Sequence, residues 1–129
     1  MNEQQKTELV AAALEARLMA HAPYSRFFVG AALLSTDGTI FRGANVENAS
    51  YGLTICAERT ALGAAVTAGH QTFSGIAIAA AGGVSPCGAC RQVLAEFATQ
   101  LPVVLVDTES NNAIREVDLA ALLPDPFSS

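Results

Sequence analysis

Cys56-Ala57-Glu58 and, about thirty residues later, Pro86-Cys87-Gly88-Ala89-Cys90 hold all three cysteines of this 129-residue chain. An odd count with no fourth partner argues against a disulfide framework. Cys87 and Cys90 stand three apart, the spacing that puts two thiolates on one face of a helical turn. Cys56 adds a third sulfur, and a tetrahedral zinc held by three thiolates keeps its fourth corner open for water. Glu58 is the one acid in the cluster. A helical start at Cys56 turns Glu58 roughly 200° around the axis from the sulfur, which suits a proton carrier better than a fourth ligand.

The same stretches punctuate the fold. Residues 56–68 read as an alanine-rich helix closed by Gly69, and Ser85-Pro86 reads as an N-cap followed by proline, opening a helix over 87–98. Upstream, Leu9, Val10, Ala13, Leu14 and Leu18 give residues 4–20 a helical rhythm, with Asn2 and Gln5 as a capping box and Ala22-Pro23 as the stop. Strands are expected over 28–34 and 39–44, joined by an Asp37-Gly38 turn, and again over 76–80 and 103–106. Residues 45–53 are polar and irregular, and 117–123 reads as a last short helix. Alternating helices and strands predict an α/β fold: a three-layer α/β/α sandwich around a central mixed sheet of about five strands. Residues 1–129 read as one domain without linker or repeat.

Composition narrows the partners. With 51% apolar and 15% charged residues the chain is expected to be globular, not disordered. A net charge of −5 and no basic run exclude a surface built to neutralise phosphates, so neither nucleic acid nor an anionic membrane is expected. Residues 1–6 lack the apolar core of a signal peptide, and no apolar run is long enough to span a bilayer. Free thiols without an export signal point to the cytoplasm.

Helix starts lower the pKa of a nearby thiol and favour the thiolate that zinc needs. Three thiolates on Zn²⁺ nevertheless leave a net charge of −1, which weakens its pull on a bound water. A cation could offset that excess: Arg59 and Arg91 each directly follow a cluster residue. A purely structural zinc needs four ligands, and neither His21 nor His70 has ligand spacing to a cysteine. In the strand-like stretch Asn45-Val46-Glu47, Asn45 and Glu47 point to one side, an amide and a carboxylate suited to a sugar hydroxyl and repellent to a phosphate.

Taken together, Cys56-Ala57-Glu58 and Pro86-Cys87-Gly88-Ala89-Cys90 form a zinc-deaminase signature, and the chain resembles the short, three-cysteine cytidine deaminases nearly end to end. The resemblance implies one zinc per subunit on Cys56, Cys87 and Cys90, with Glu58 moving protons while water replaces the amino group at cytosine C4. It implies that Phe27 packs on the pyrimidine, that Asn45 and Glu47 bind the ribose 3′-hydroxyl, and that the Ala57 amide and Ser85 carbonyl read the base. It favours Arg59 over Arg91 as the sulfur's partner. It further implies a homotetramer in which Phe127 reaches a neighbouring subunit's site, and a role in pyrimidine salvage. Against the pattern that the resemblance implies, Ala81-Gly82-Gly83-Val84 reads as a trimmed loop. Other readings are a deaminase of an aminonucleoside antibiotic such as blasticidin S, a nucleic-acid editing deaminase, and a non-enzymatic zinc-stabilised interaction domain. Asn45 and Glu47 speak against the first, acidity against the second, and Glu58 beside an open metal position against the third.

Overall fold

The computed structural model describes residues 1–129, and its sheet starts from the Asp37-Gly38 turn. Gly38 takes a φ of +94°, and the Asp37 carboxylate accepts the Thr39 N–H at 3.0 Å. Strand β1 (Gly30–Ser35) thereby folds back antiparallel on β2 (Ile40–Ala44), as the Asp-Gly signal predicts. On its other edge β1 pairs antiparallel with β3 (Phe73–Ala80), β3 runs parallel to β4 (Pro102–Asp107), and β5 (Ala113–Asp118) returns antiparallel to β4. The order β2-β1-β3-β4-β5 is the expected mixed sheet of five strands.

Both faces of that sheet are covered. Helix α1 (Glu3–Arg17) packs Leu9, Ala12 and Ala13 against Ala32, Leu34, Ala77, Ala79, Val104 and Val106. The opposite face, with Ala31, Leu33, Ile76, Ile78, Val103 and Leu105, carries α2 (Ala57–Thr67), α3 (Gly88–Ala95) and α4 (Leu119–Leu122). The three central strands therefore read as nearly continuous apolar runs. Each fully buried Leu, Ile or Val among them contributes about 1.5–3 kcal/mol through removal from water. No helix is long and apolar enough to cross a membrane.

Local signals place every α-helix but shift several boundaries: β1 starts two residues later than expected and β3 three residues earlier. The α1 capping box forms, with reciprocal bonds between Asn2 and Gln5 at 2.8 and 2.9 Å. The helix ends at Arg17 and not near residue 20, because the His21 backbone is recruited to the 45–47 segment: its N–H donates to Asn45 and its carbonyl accepts from Glu47. The residues expected to begin a last helix at 117 instead finish β5, and α4 starts only at Leu119, capped by Asp118 on the Ala120 N–H at 2.9 Å. Strand β5 had a readable signal in Asn111-Asn112. Both residues take positive φ (56° and 58°), and Ala113 N–H closes onto the Ser110 carbonyl, the geometry of a tight hairpin turn.

The third helix also begins later and ends earlier than expected. Cys87, not Ser85, is its N-cap, Pro86 stays in the extended lead-in, and the helix stops at Ala95 rather than 98. Proline after serine is compatible with a helix start but does not require one; here the Pro86 carbonyl is held outside the helix by Arg91 Nε at 2.7 Å.

Close contact between α2 and β2 depends on Gly43. A Cβ there would lie 2.3 Å from the Ala61 amide nitrogen and 2.5 Å from the Ala57 carbonyl, both backbone atoms that cannot yield. Gly43→Ala should therefore destabilise the fold by about 1–3 kcal/mol, the usual cost of forcing atoms into a packed interior. Gly63→Ala, in the same helix but facing open space, should stabilise by roughly 0.5–1 kcal/mol. Urea unfolding of both variants checks the contrast.

Candidate active site

Two helix starts meet at one end of the sheet. Cys56 is the N-cap of α2 and Cys87 the N-cap of α3, both with extended backbone (ψ 151° and 166°). Neither side chain caps its own helix, so both sulfurs are free to point elsewhere. Cys90 follows in the first turn of α3, fully buried. The Cys56 and Cys87 sulfurs lie 4.0 Å apart, those of Cys87 and Cys90 3.4 Å, and all three within 4.8 Å of one another. Tetrahedral zinc with Zn–S bonds of about 2.3 Å requires sulfurs roughly 3.8 Å apart, so the donor set fits in both chemistry and spacing.

Glu58, in the first turn of α2, is 5% exposed. It lines a cavity of about 270 Å³ whose wall also carries Cys56 and Cys87. Burial pushes its carboxyl pKa up, and the negative charge of Cys56 adds to the rise. The expected nucleoside contacts Phe27, Asn45, Glu47, Ala57 and Ser85 line this same cavity. Ala57 is the first residue of α2, where an amide has no intrahelical acceptor.

Asn45 and Glu47 are already partly engaged. The Asn45 side chain accepts the Val29 N–H at 2.9 Å and donates to the Phe27 carbonyl at 2.8 Å, pinning the segment that leads into β1. One N–H and one lone pair remain for a ligand. Glu47 accepts the Tyr24 and Ser25 amides at 2.9 and 3.2 Å and the Ser25 hydroxyl. These bonds, the hydroxyl's foremost, hold its carboxyl below the usual range. Phe127 lies outside the cavity with 79% of its surface exposed.

Sequence reasoning passed over Ser25, Thr54 and Val84, which also form the wall. A second cavity of about 370 Å³ shares Ser25, Glu47 and Thr54 and extends to Tyr24 and Tyr51, whose rings meet edge to face at 5.7 Å. Ser25 was discoverable from its place between the aromatic residues 24 and 27; Thr54 and Val84 carry no local signal.

The two arginines have different work. Arg59 Nη2 donates to the Cys56 sulfur at 3.9 Å and to the Thr54 carbonyl at 3.4 Å, and its Nε is buried without a partner. Arg91 touches no sulfur: it bonds the Pro86 carbonyl at 2.7 Å and the Leu122 carbonyl at 2.9 Å, tying the approach to Cys87 onto α4.

Comparison with known proteins agrees with this geometry. Residues 3–106 match the family profile described as the cytidine and deoxycytidylate deaminase zinc-binding region. The chain belongs to that deaminase family. It is 50% identical over 124 residues to a cytidine deaminase of Sporosarcina psychrophila, covering 94% of this chain and 90% of that protein. A cytidine deaminase of Halalkalibacterium halodurans is 49% identical, with 94% and 92% covered. The crystal structure of cytidine deaminase from Burkholderia pseudomallei superposes with a TM-score of 0.89 at 48% identity, over 98% of this chain and all of that one.

As in this zinc-binding family, the cluster is a site for one ion. Without the ion, the Cys56 and Cys90 thiols are shifted in opposite directions. The neighbouring Cys90 thiol, followed by the Arg59 guanidinium, lowers the Cys56 pKa to about 5. Cys90 is correspondingly pushed up, by Cys56 first and then by burial and the Glu58 charge. Zinc loading must displace the protons that remain, so binding should release protons and weaken as pH falls; calorimetry in buffers of different ionisation enthalpy measures this. A separate consequence concerns Glu58. A carboxyl whose folded pKa is raised contributes stability below its unfolded pKa of about 4.3 and loses it as pH rises through the folded value. Metal-free Glu58→Gln should thus melt higher than wild type at pH 7, and the gain should vanish near pH 4.

Proposed function

We propose that this chain hydrolyses cytidine and deoxycytidine to uridine and deoxyuridine, releasing ammonia. The observation that carries the reading is that one cavity is lined by the buried carboxyl of Glu58, by Cys56 and Cys87 of the three-thiol cluster, and by Phe27, Asn45 and Glu47. Zinc bound at Cys56, Cys87 and Cys90 supplies a nucleophile near neutral pH by lowering the pKa of a water. Glu58 takes a proton from the attacking water and delivers it to cytosine N3 as the new C–O bond forms at C4. It then carries the second proton to the exocyclic nitrogen, and the C4–N bond breaks to release ammonia. Its raised pKa suits a group that must both accept and donate near neutrality. Arg59, bonded to the Cys56 sulfur, withdraws charge from an otherwise electron-rich site.

Substrate recognition follows from the rest of the cavity lining. Phe27 packs on the pyrimidine, the Ala57 amide and Ser85 carbonyl read its edge, and Asn45 and Glu47 hold the ribose. Glu47, kept ionised by Ser25 and two backbone amides, disfavours a 5′-monophosphate by charge. Relatives near 50% identity that are named cytidine deaminase favour this reading over an aminonucleoside antibiotic.

The unit that works is a homotetramer. Leu18, Met19, Val46, Tyr51, Leu53 and Ile55 are between 43% and 81% exposed, apolar side chains that subunit contacts would cover. Phe127, equally exposed, reaches a neighbouring copy's cavity. Thiols that must stay reduced to hold the metal fit the cytoplasm, and the reaction fits salvage of pyrimidine nucleosides.

Zinc-loaded protein should convert cytidine to uridine with one ammonia released per uridine, followed by loss of cytidine absorbance. Glu58→Gln should keep a full complement of zinc and lose at least about 10³-fold in kcat, near the usual range for removing a proton-transfer group. No turnover by zinc-replete wild type, or substantial turnover by the variant, rejects the mechanism.

A further inference from the structure

We propose that Asp107 is a positioning residue for the nucleoside cavity, acting as a latch on the short segment 82–85 that carries Val84 and Ser85 into its wall. The proposal rests on the nucleoside reading above, which supplies the ligand, but its geometry stands on residues that reading does not use.

Asp107 is the last residue of β4 and pairs across the sheet with Ala80, the last of β3. Here the chain leaves β3 for the N-cap Cys87. The Asp107 Oδ1 accepts the Gly82 N–H at 2.9 Å and, from the following turn, the Glu109 N–H at 2.9 Å. Gly82 and Gly83 take φ of +85° and +58°, two consecutive left-handed residues that turn the chain toward the cavity. A Cβ on Gly83 would sit 3.2 Å from the Asp107 Cβ, so the turn is packed against the latch residue as well as bonded to it. Immediately afterwards Val84 and Ser85 line the cavity.

The far end of the segment is held independently, by Arg91 Nε on the Pro86 carbonyl. At the near end the bond from Gly82 to Asp107 is the one side-chain hydrogen bond made by residues 81–85. Without it, only the backbone bond from the Gly83 N–H to the Ala80 carbonyl at 3.2 Å would hold the two-glycine turn, and Val84 and Ser85 would sample more conformations from which a bound base must select, a cost paid at binding and not in the chemical step. Asp107 itself lines neither the nucleoside cavity nor the thiol cluster. Its effect must pass through Gly82.

The test compares zinc-loaded wild type, Asp107→Ala and Asp107→Asn by cytidine kinetics, zinc content and amide hydrogen exchange. Asp107→Ala should raise KM roughly three- to tenfold, the worth of one net hydrogen bond. Its kcat should stay within about twofold of wild type, as expected for lost binding shared by ground and transition states. Zinc content should not change, and exchange at the Gly82 amide should speed up. Asp107→Asn keeps an acceptor oxygen and should restore most of both KM and protection. An unchanged KM in Asp107→Ala overturns the proposal, whether or not its melting temperature falls; so does unchanged exchange at Gly82. If wild type turns over no cytidine, the substrate reading falls, and the latch stands or falls on the exchange at Gly82 and its recovery in Asp107→Asn.

Discussion

At Gly43 the β2 backbone lies so near α2 that a single added carbon would meet the Ala61 nitrogen and the Ala57 carbonyl, and this contact sets where the helix begins. Ala57 opens that helix, Cys56 caps it, and Glu58 sits in its first turn. Thr60 reinforces the contact by donating to the Ala44 carbonyl at the end of β2. The metal ligand, the proton carrier and a first-turn amide are thus placed by one backbone-to-backbone approach. Close packing transmits position faithfully because a core has few voids into which a helix could slide.

The second half of the site reaches the same point by a different route. Parallel pairing of β3 and β4 requires a crossover, and α3 provides it. Its start is fixed by Arg91, which holds the Pro86 carbonyl one residue before Cys87 and anchors to α4 at Leu122. Two N-caps whose side chains leave their own helices uncapped then face one another across the end of the sheet. The arrangement leaves cap stability unclaimed, a local sacrifice of the kind that occurs at functional sites.

Reading outward from the cysteines recovers the three-thiol cluster, the glutamate beside it and the family, because these depend on residue type and spacing alone. Five of the six expected nucleoside contacts also line one cavity; Phe127 does not, its backbone being held instead by the Gln92 side chain on α3. Between the two arginines the sequence left a choice that only side-chain direction resolves: Arg59 faces the Cys56 sulfur and Arg91 faces backbone carbonyls. The late start of α3 and the early end of α1 escaped because competing tertiary bonds, to Pro86 and to His21, outweigh local helix signals there. Strand β5 escaped because an exposed edge strand carries little apolar alternation, although its Asn111-Asn112 turn was legible.

By itself, then, the sequence determined the chemistry: three thiols, one carboxyl and their spacing admit few reactions, since donor type and charge are properties of the residues. It also determined the α/β alternation, through hydrophobic period and turn residues. Tertiary structure alone decided which elements meet. The cysteines at 56 and 87 become neighbours, Glu58 is desolvated, and Asp107 reaches Gly82 only because strand order and helix packing bring distant segments within hydrogen-bonding range. Such contacts arise from burial and register summed over the whole sheet, and no local stretch of sequence contains that sum.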